Sequence, residues 1–164
     1  MSFVKRSVKL MPKWGYSSLK LNEVGVVKAS GRDMKISPKA AVEICRAIRN
    51  MRLDQAKNFL QDVVDKKRVV PYRRYKKKVG HKGELQGGYA GRYPVKASSE
   101  VLKVLNGLEA NAEDRGFDTE RLKIIHAAAN HGRIIKRYIP RAFGRSSPRN
   151  NVLCHVELAA EEMG

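Results

Sequence analysis

Leu122-Lys123-Ile124-Ile125-His126-Ala127-Ala128-Ala129-Asn130 and Val152-Leu153-Cys154-His155-Val156-Glu157-Leu158 are two strand-like runs near the end of a 164-residue chain. In the second, Val152, Cys154, Val156 and Leu158 alternate with Leu153, His155 and Glu157, the two-residue period of a half-buried strand. The 21 residues between the runs contain no acid and include Arg133, Lys136, Arg137, Arg141, Arg145 and Arg149. A structureless loop of that length is unusual inside a compact domain. The pattern is better met by extending both strands outward as one long β-hairpin, residues 121–158, whose base packs on the body and whose far end protrudes. Ile134, Ile135, Tyr138, Ile139 and Phe143 then supply cross-strand contacts, and Pro140 or Gly144 lies near the bend. A bare hairpin is marginal in water, so its tip must be held by something else.

Upstream, residues 1–22 show no period and read as an extended basic arm with Trp14 and Tyr16 as anchors. Gly25 to Ala29 is a short strand candidate, closed by the turn-prone Ser30-Gly31-Arg32-Asp33. Ser37-Pro38 starts a helix, with the Ser capping free amides and the Pro pre-set in φ. Its apolar face is Ala41, Ile44, Cys45 and Ile48, and Asn50 ends it. A second helix carries Leu53, Ala56, Leu60, Val63 and Val64 on one stripe, so the two form a helical hairpin. From Lys66 to Lys96 the period is lost among glycines and tyrosines. That stretch reads as a long basic loop without a core, ordered by a partner. Order returns at Ser98, expected to cap a third helix with Val101, Leu105, Leu108 and Ala112 inward. Gly107 is tolerated inside it, and Gly116 closes it.

Charge narrows the function. The formal net charge is +18. Residues 66–96 hold eleven Lys/Arg against one acid, residues 121–156 hold eight against none, and the other 97 residues balance at fifteen each. Two acid-depleted segments on a neutral body repel one another unless a polyanion lies between them, which points to nucleic acid. Arginines alternating with aromatic side chains match phosphate tracking and stacking on unpaired bases. Arg73, Arg74, Lys76, Lys77, Lys78, Arg92, Arg133, Lys136, Arg137, Arg141, Arg145 and Arg149 are the candidate RNA-binding residues. Both basic segments are expected to stay loose until RNA neutralises them. An architectural DNA-binding protein would need a basic recognition helix, and the three helices read as near-neutral. A membrane-surface protein would need its cations on an amphipathic helix. No apolar run reaches a membrane span, and Met1 to Leu10 lacks the apolar stretch of a secretory signal, so a cytoplasmic location is expected.

The same residues offer no complete catalytic or metal-binding constellation. Gly83 and Gly88 have the spacing of a phosphate-binding loop, but Tyr89-Ala90 stands where Lys-Ser/Thr is required. Cys154 and His155 are neighbours on a strand and point to opposite faces, so they do not readily hold one metal ion. His126 reads as a partly buried strand residue, and His131 and His155 as hydrogen-bonding to RNA or backbone. Cys45 and Cys154 fit reduced, buried thiols, and their spacing asks for no disulfide. No cofactor, metal or enzymatic activity is expected.

Six runs also carry a resemblance. They are Lys28 to Lys39, Gly91-Arg92-Tyr93-Pro94-Val95-Lys96, Ala110-Asn111-Ala112-Glu113, Leu122 to Ala128, Pro140-Arg141-Ala142-Phe143-Gly144-Arg145 and His155-Val156-Glu157. Together they resemble the large-subunit ribosomal protein family numbered twenty-two in bacteria and seventeen in eukaryotes; the insertion at 66–96 resembles the archaeal and eukaryotic branch, and the motifs look archaeal. The likeness covers roughly residues 14 to 160. It implies an α+β fold of three helices packed on a small three-stranded antiparallel sheet, with a long protruding β-hairpin and a long basic loop. Residues 23–160 then form a single RNA-binding domain behind the 1–22 arm. The resemblance further implies contact with several domains of large-subunit ribosomal RNA and with neighbouring ribosomal proteins. It places the hairpin tip, about residues 135–144, in the wall of the nascent-peptide exit tunnel. Ile135, Lys136, Arg137, Tyr138, Ile139, Pro140 and Arg141 would face the nascent polypeptide, with no membrane span and no DNA involved.

Overall fold

Three helices and antiparallel strands make up an α+β fold, described for residues 15–17, 25–85, 87 and 90–163 by a computed structural model. In chain order the elements are β1 (Val26–Met34), α1 (Pro38–Ile48), α2 (Leu53–Val64), β2 (Val70–Pro71), β3 (Gly91–Arg92) and α3 (Val95–Glu113). After a short 3-10 turn come β4 (Leu122–Ile135), β5 (Tyr138–Pro140), β6 (Ser146–Pro148) and β7 (Asn151–Glu162). The main sheet has the order β1-β7-β4, all antiparallel, and β2–β3 and β5–β6 form two smaller pairs. Trp14 and most of the expected arm, 1–14 and 18–22, lie outside the described residues, as do Gly88 and Tyr89.

The helices follow their apolar spacing. Ala40, Ala41, Ile44, Cys45 and Ile48 are buried on α1, and Leu53, Ala56, Phe59, Leu60 and Val63 on α2. Asn50 takes a left-handed φ of 67° between them. Its N–H donates to Ile124 O at 2.8 Å, and Ile124 N–H returns to Met51 O at 2.9 Å, which ties the helical turn to β4. Leu105 and Leu108 of α3 meet Ile44, Ile48, Leu60, Leu122, Ile124 and Leu158 in the same core, all fully buried. Each such side chain contributes about 1.5–3 kcal/mol relative to exposure.

Two expected caps are absent. Ser37 sits before Pro38 in extended geometry but makes no side-chain capping bond. The third helix starts at Val95, not after Ser98, because Pro94 occupies the cap position and its carbonyl accepts Ser98 N–H at 2.9 Å. Ser98 is thereby drawn inside the helix and fully buried. The other end is as expected: Gly116, at φ 74°, donates to Glu113 O, and Phe117 N–H reaches Ala112 O at 3.0 Å. Gly107 is exposed within α3, and a Cβ there would meet nothing within 4 Å. Replacing it by Ala should therefore stabilise the protein by about 0.5–1 kcal/mol. Thermal melting should show this as a rise of about 1–4 °C; a fall would mean that α3 needs its glycine.

The sheet departs from the sequence reading in two places. Ser30 to Asp33 do not close β1 in a turn; the strand continues to Met34 through a bulge after Gly31, with Asp33 at φ 48°. Turn-prone residues serve equally where a strand takes up an extra residue. β7 is not half-buried. As the central strand it is covered on both faces, and Leu153, His155, Glu157 and Ala159 are as enclosed as Cys154, Val156, Leu158 and Ala160.

The segment 66–96 also differs. It was expected to offer no core, yet Val69, Val70, Tyr72 and Ala90 are buried, and Val70 and Tyr72 join the main core. Tyr72 N–H donates to Ala90 O at 2.8 Å, and His81 bridges Ala90. Gly91 passes so close to Val69 that a Cβ would collide with it and lie 2.7 Å from Leu85 Cδ1. Under this segment lies Glu43 of α1, only 1% exposed. Its carboxylate accepts three consecutive backbone N–H groups, from Arg73 at 3.2 Å, Arg74 at 2.7 Å and Tyr75 at 2.8 Å. A buried charge is tolerable only when its lone pairs are so satisfied.

Candidate nucleic-acid interface

β4 and β7 pair without interruption of direction from Leu122 opposite Glu162 to Ile135 opposite Asn151, with two bulges, one between Ile124 and His126 and one between His131 and Ile134. Beyond Ile135 the pairing carries on in step. Arg149 N–H donates to Arg137 O at 2.6 Å, and Tyr138, Ile139 and Pro140 lie opposite Pro148, Ser147 and Ser146. The connecting residues 141–145 close with Arg141 N–H on Arg145 O at 2.8 Å. Phe143 (φ 58°) and Gly144 (φ 67°) turn the chain there, and Pro140 ends β5.

On this ribbon Arg133, Lys136, Arg137, Arg141, Arg145 and Arg149 are all exposed. The backbone brings Arg137 level with Arg149 and Arg141 level with Arg145, so cations lie in pairs across the two strands. Ile135 and Ile139 are half-buried, whereas Ile134, Tyr138 and Phe143 are open, Phe143 at 99%. Phe143 was expected to brace the strands and does not; it stands free in the turn. Exposed aromatic and aliphatic side chains among cations are what a nucleic-acid surface would cover.

At the ribbon's root Arg133 Nη2 bonds Asp33 Oδ2 at 2.9 Å, and Asp33 N–H donates to His155 Nδ1 at 3.0 Å. The Arg133 hydrogen bond holds the Asp33 carboxyl below the usual carboxylate range. His155 is buried and is occupied by backbone. On the same face of β7, Glu157 accepts Ser17 N–H at 2.9 Å and lies 3.7 Å from Arg32 and 4.0 Å from His126. Burial pulls the His126 pKa down. Tyr16 packs beside Val26 and Ala159.

The second basic group lies on the segment pinned by Glu43. Arg73, Arg74, Lys76, Lys77, Lys78 and Arg92 are exposed. The Arg74 guanidinium lies 5.5 Å from the Tyr75 ring centre, and Arg92 Nη2 donates to Lys78 O at 2.9 Å. Arg74 and Arg92 also share the walls of one cavity, together with Lys39 and Lys77. Sequence reasoning missed Glu43 and Lys39. The available signal for Glu43 was an acid flanked on a helix by Ala40, Ala41, Ile44 and Cys45, all of them buried.

Among the described residues neither cysteine is an activated nucleophile. Burial pushes the Cys45 thiol up to about 12 and the Cys154 thiol up to about 11, which leaves both uncharged and unreactive. Among the described residues no three His, Cys, Asp or Glu side chains cluster as metal ligands, and no helix is long and apolar enough to cross a membrane.

A family profile described as ribosomal protein L22p/L17e matches residues 29–161, from within β1 nearly to the end of β7. The chain belongs to the L22p/L17e family. Its relatives include the large ribosomal subunit protein uL22 of Methanosphaera stadtmanae, 54% identical over 84% of this chain and 89% of the relative. The proteins of that name from Archaeoglobus fulgidus (53%, covering 92% of this chain and 97% of the relative) and Nitrosopumilus maritimus (46%, 93% and 100%) are similar to it over nearly their whole lengths. L22p/L17e proteins are ribosomal proteins, and this one is not an enzyme.

Proposed function

We propose that the protein is a structural constituent of the large ribosomal subunit in the cytoplasm, where it binds ribosomal RNA and supports assembly. Family membership and the names of its relatives support this reading. The observation that carries it furthest is the ribbon beyond Ile135: five exposed Arg and Lys side chains, no acid, and no core of its own. Such a segment gains little by folding alone and much by neutralising phosphates. In this reading residues 23–160 act as one RNA-binding domain with a protruding β-hairpin at 121–158 and a long basic loop at 66–96. Arg73, Arg74, Lys76, Lys77, Lys78 and Arg92 bind RNA from the loop, and Arg133, Lys136, Arg137, Arg141, Arg145 and Arg149 from the hairpin. The guanidinium forks take phosphate oxygens in pairs, as lysine cannot. The tip, residues 135–144, lines the nascent-peptide exit tunnel, with Ile135 to Arg141 toward the nascent chain, while the body meets neighbouring ribosomal proteins.

Sedimentation tests this. The tagged protein should travel with the large subunit and stay there through a high-salt wash. A variant lacking residues 135–144 should keep its fold and still co-sediment, since those residues contribute nothing to the core. Recovery of the intact protein only in the unbound fraction would overturn the proposal.

A further inference from the structure

We infer that a cavity between the basic loop and the start of α1 receives one unpaired nucleotide of the RNA, with its phosphate on the lysines and its base against Tyr75 and Arg74. This rests on the RNA-binding reading above and adds to it a site and a ligand. The cavity has a volume of about 440 Å³ and is walled by Lys39, Tyr72, Arg74, Tyr75, Lys77 and Arg92 among others. That lies within the ~300–1,000 Å³ range of pockets that hold small organic ligands. Four of these six side chains are cationic, and no acid lines the space.

The nearby acid cannot compete for the cations. Glu43 has both carboxylate oxygens engaged by the N–H groups of Arg73, Arg74 and Tyr75. The same bonds hold the wall in place before any ligand arrives, so less ordering entropy remains to be lost on binding. Arg92 is oriented by its bond to Lys78 O at 2.9 Å. Lys39 Nζ and the Arg74 guanidinium lie 5.8 and 5.5 Å from the Tyr75 ring centre, so planar and charged groups are already gathered at one spot.

Phosphate alone would account for the cations but would make no use of the Tyr75 ring that walls the cavity. A base offers a flat face to a tyrosine ring or a guanidinium plane, and a phosphate rides on each nucleotide. An A-form duplex keeps its bases stacked inside and cannot present one, whereas a bulge, loop or single strand can. An acidic peptide would meet the cations and leave the planar surfaces unused. The ligand chemistry is therefore nucleotide in an unpaired stretch.

The test uses the full-length protein and a short single-stranded RNA carrying 2-aminopurine at one internal position, with a duplex of the same length as the comparison. Binding should quench the 2-aminopurine. Tyr75→Leu should weaken the single strand about tenfold and leave the duplex nearly unchanged. Tyr75→Phe should retain the affinity, because the ring does the stacking. Tyr75 packs against the core, so a second variant avoids the question of folding. Lys39→Gln with Lys77→Gln, both at exposed positions, should weaken the single strand more than the duplex. Equal losses for both RNAs, or no loss, would overturn the site while leaving ribosomal RNA binding intact. Displacement of the RNA by adenosine monophosphate at comparable concentration would overturn it in favour of a free-nucleotide pocket. Equal displacement by polyglutamate from the parent protein and Tyr75→Leu would reduce it to a charge patch. Failure of the parent protein to bind ribosomal RNA at all would instead remove the reading on which the site rests.

Discussion

Raising the salt concentration from about 50 to 200 mM should weaken binding of the purified protein to large-subunit ribosomal RNA by about 10³- to 10⁵-fold. The expectation comes from counting exposed cations, since all twelve candidate Arg and Lys side chains are open to solvent. Arg133 is held by a carboxylate, Asp33. Each phosphate neutralised releases condensed counterion, and the entropy of that release shrinks as bulk salt rises. If about ten phosphates are covered, the slope of log affinity against log salt is near −9 on duplex RNA and about −7 on single strands. Titrations at several salt concentrations measure it directly. A slope near zero would mean that the excess charge serves something other than RNA.

Glu43→Ala should lower stability by about 3–5 kcal/mol, which is less than three charge-assisted hydrogen bonds at full strength because water can reach part of the loop. On a protein of this size the melting temperature should fall by about 6–20 °C. The reason is local. Removing the carboxylate leaves the N–H groups of Arg73, Arg74 and Tyr75 facing an apolar hole beneath Val70 and Tyr72, both of which are buried. Glu43→Gln should cost less, about 1–3 kcal/mol, because one amide oxygen can still accept from Arg74 and Tyr75. Hydrogen exchange at residues 73–75 should quicken in both variants. Unchanged exchange there, with an unchanged melting temperature, would show that the segment is held by other means.

Glu43 also marks where sequence reading ran out. The helices were legible because Ala41, Ile44, Cys45 and Ile48 repeat over about two turns, and Leu53, Ala56, Leu60 and Val63 over about three. The antiparallel strands were legible in the alternation from Val152 to Leu158. No such period exists in Val69, Val70, Tyr72 and Ala90, because strands of two residues are too short to show one. The neighbouring residues 73–75 are pinned by a carboxylate some thirty positions away in the sequence, and no local pattern encodes that partner. The burial of His155 and Glu157 escaped for a related reason. Their polarity says outward, yet Asp33 N–H, Ser17 N–H and Arg32 come from distant segments to satisfy them. The cationic residues of the candidate interface were legible throughout, since exposure is the default for Arg and Lys; which of them share a cavity with Lys39 was not.

The two bulges between β4 and β7 have a geometric consequence. Each adds one residue to β4 alone, so together they restore the original alternation of faces before the strands leave the sheet. Past Ile135 and Asn151 the partners stay in step as far as Pro140 and Ser146. Lengthening both arms by two residues apiece in that stretch would move the turn outward by about 7 Å while every inward side chain kept its direction. The length of this paired ribbon is thus adjustable in quantised two-residue steps that leave the register nearer the sheet undisturbed.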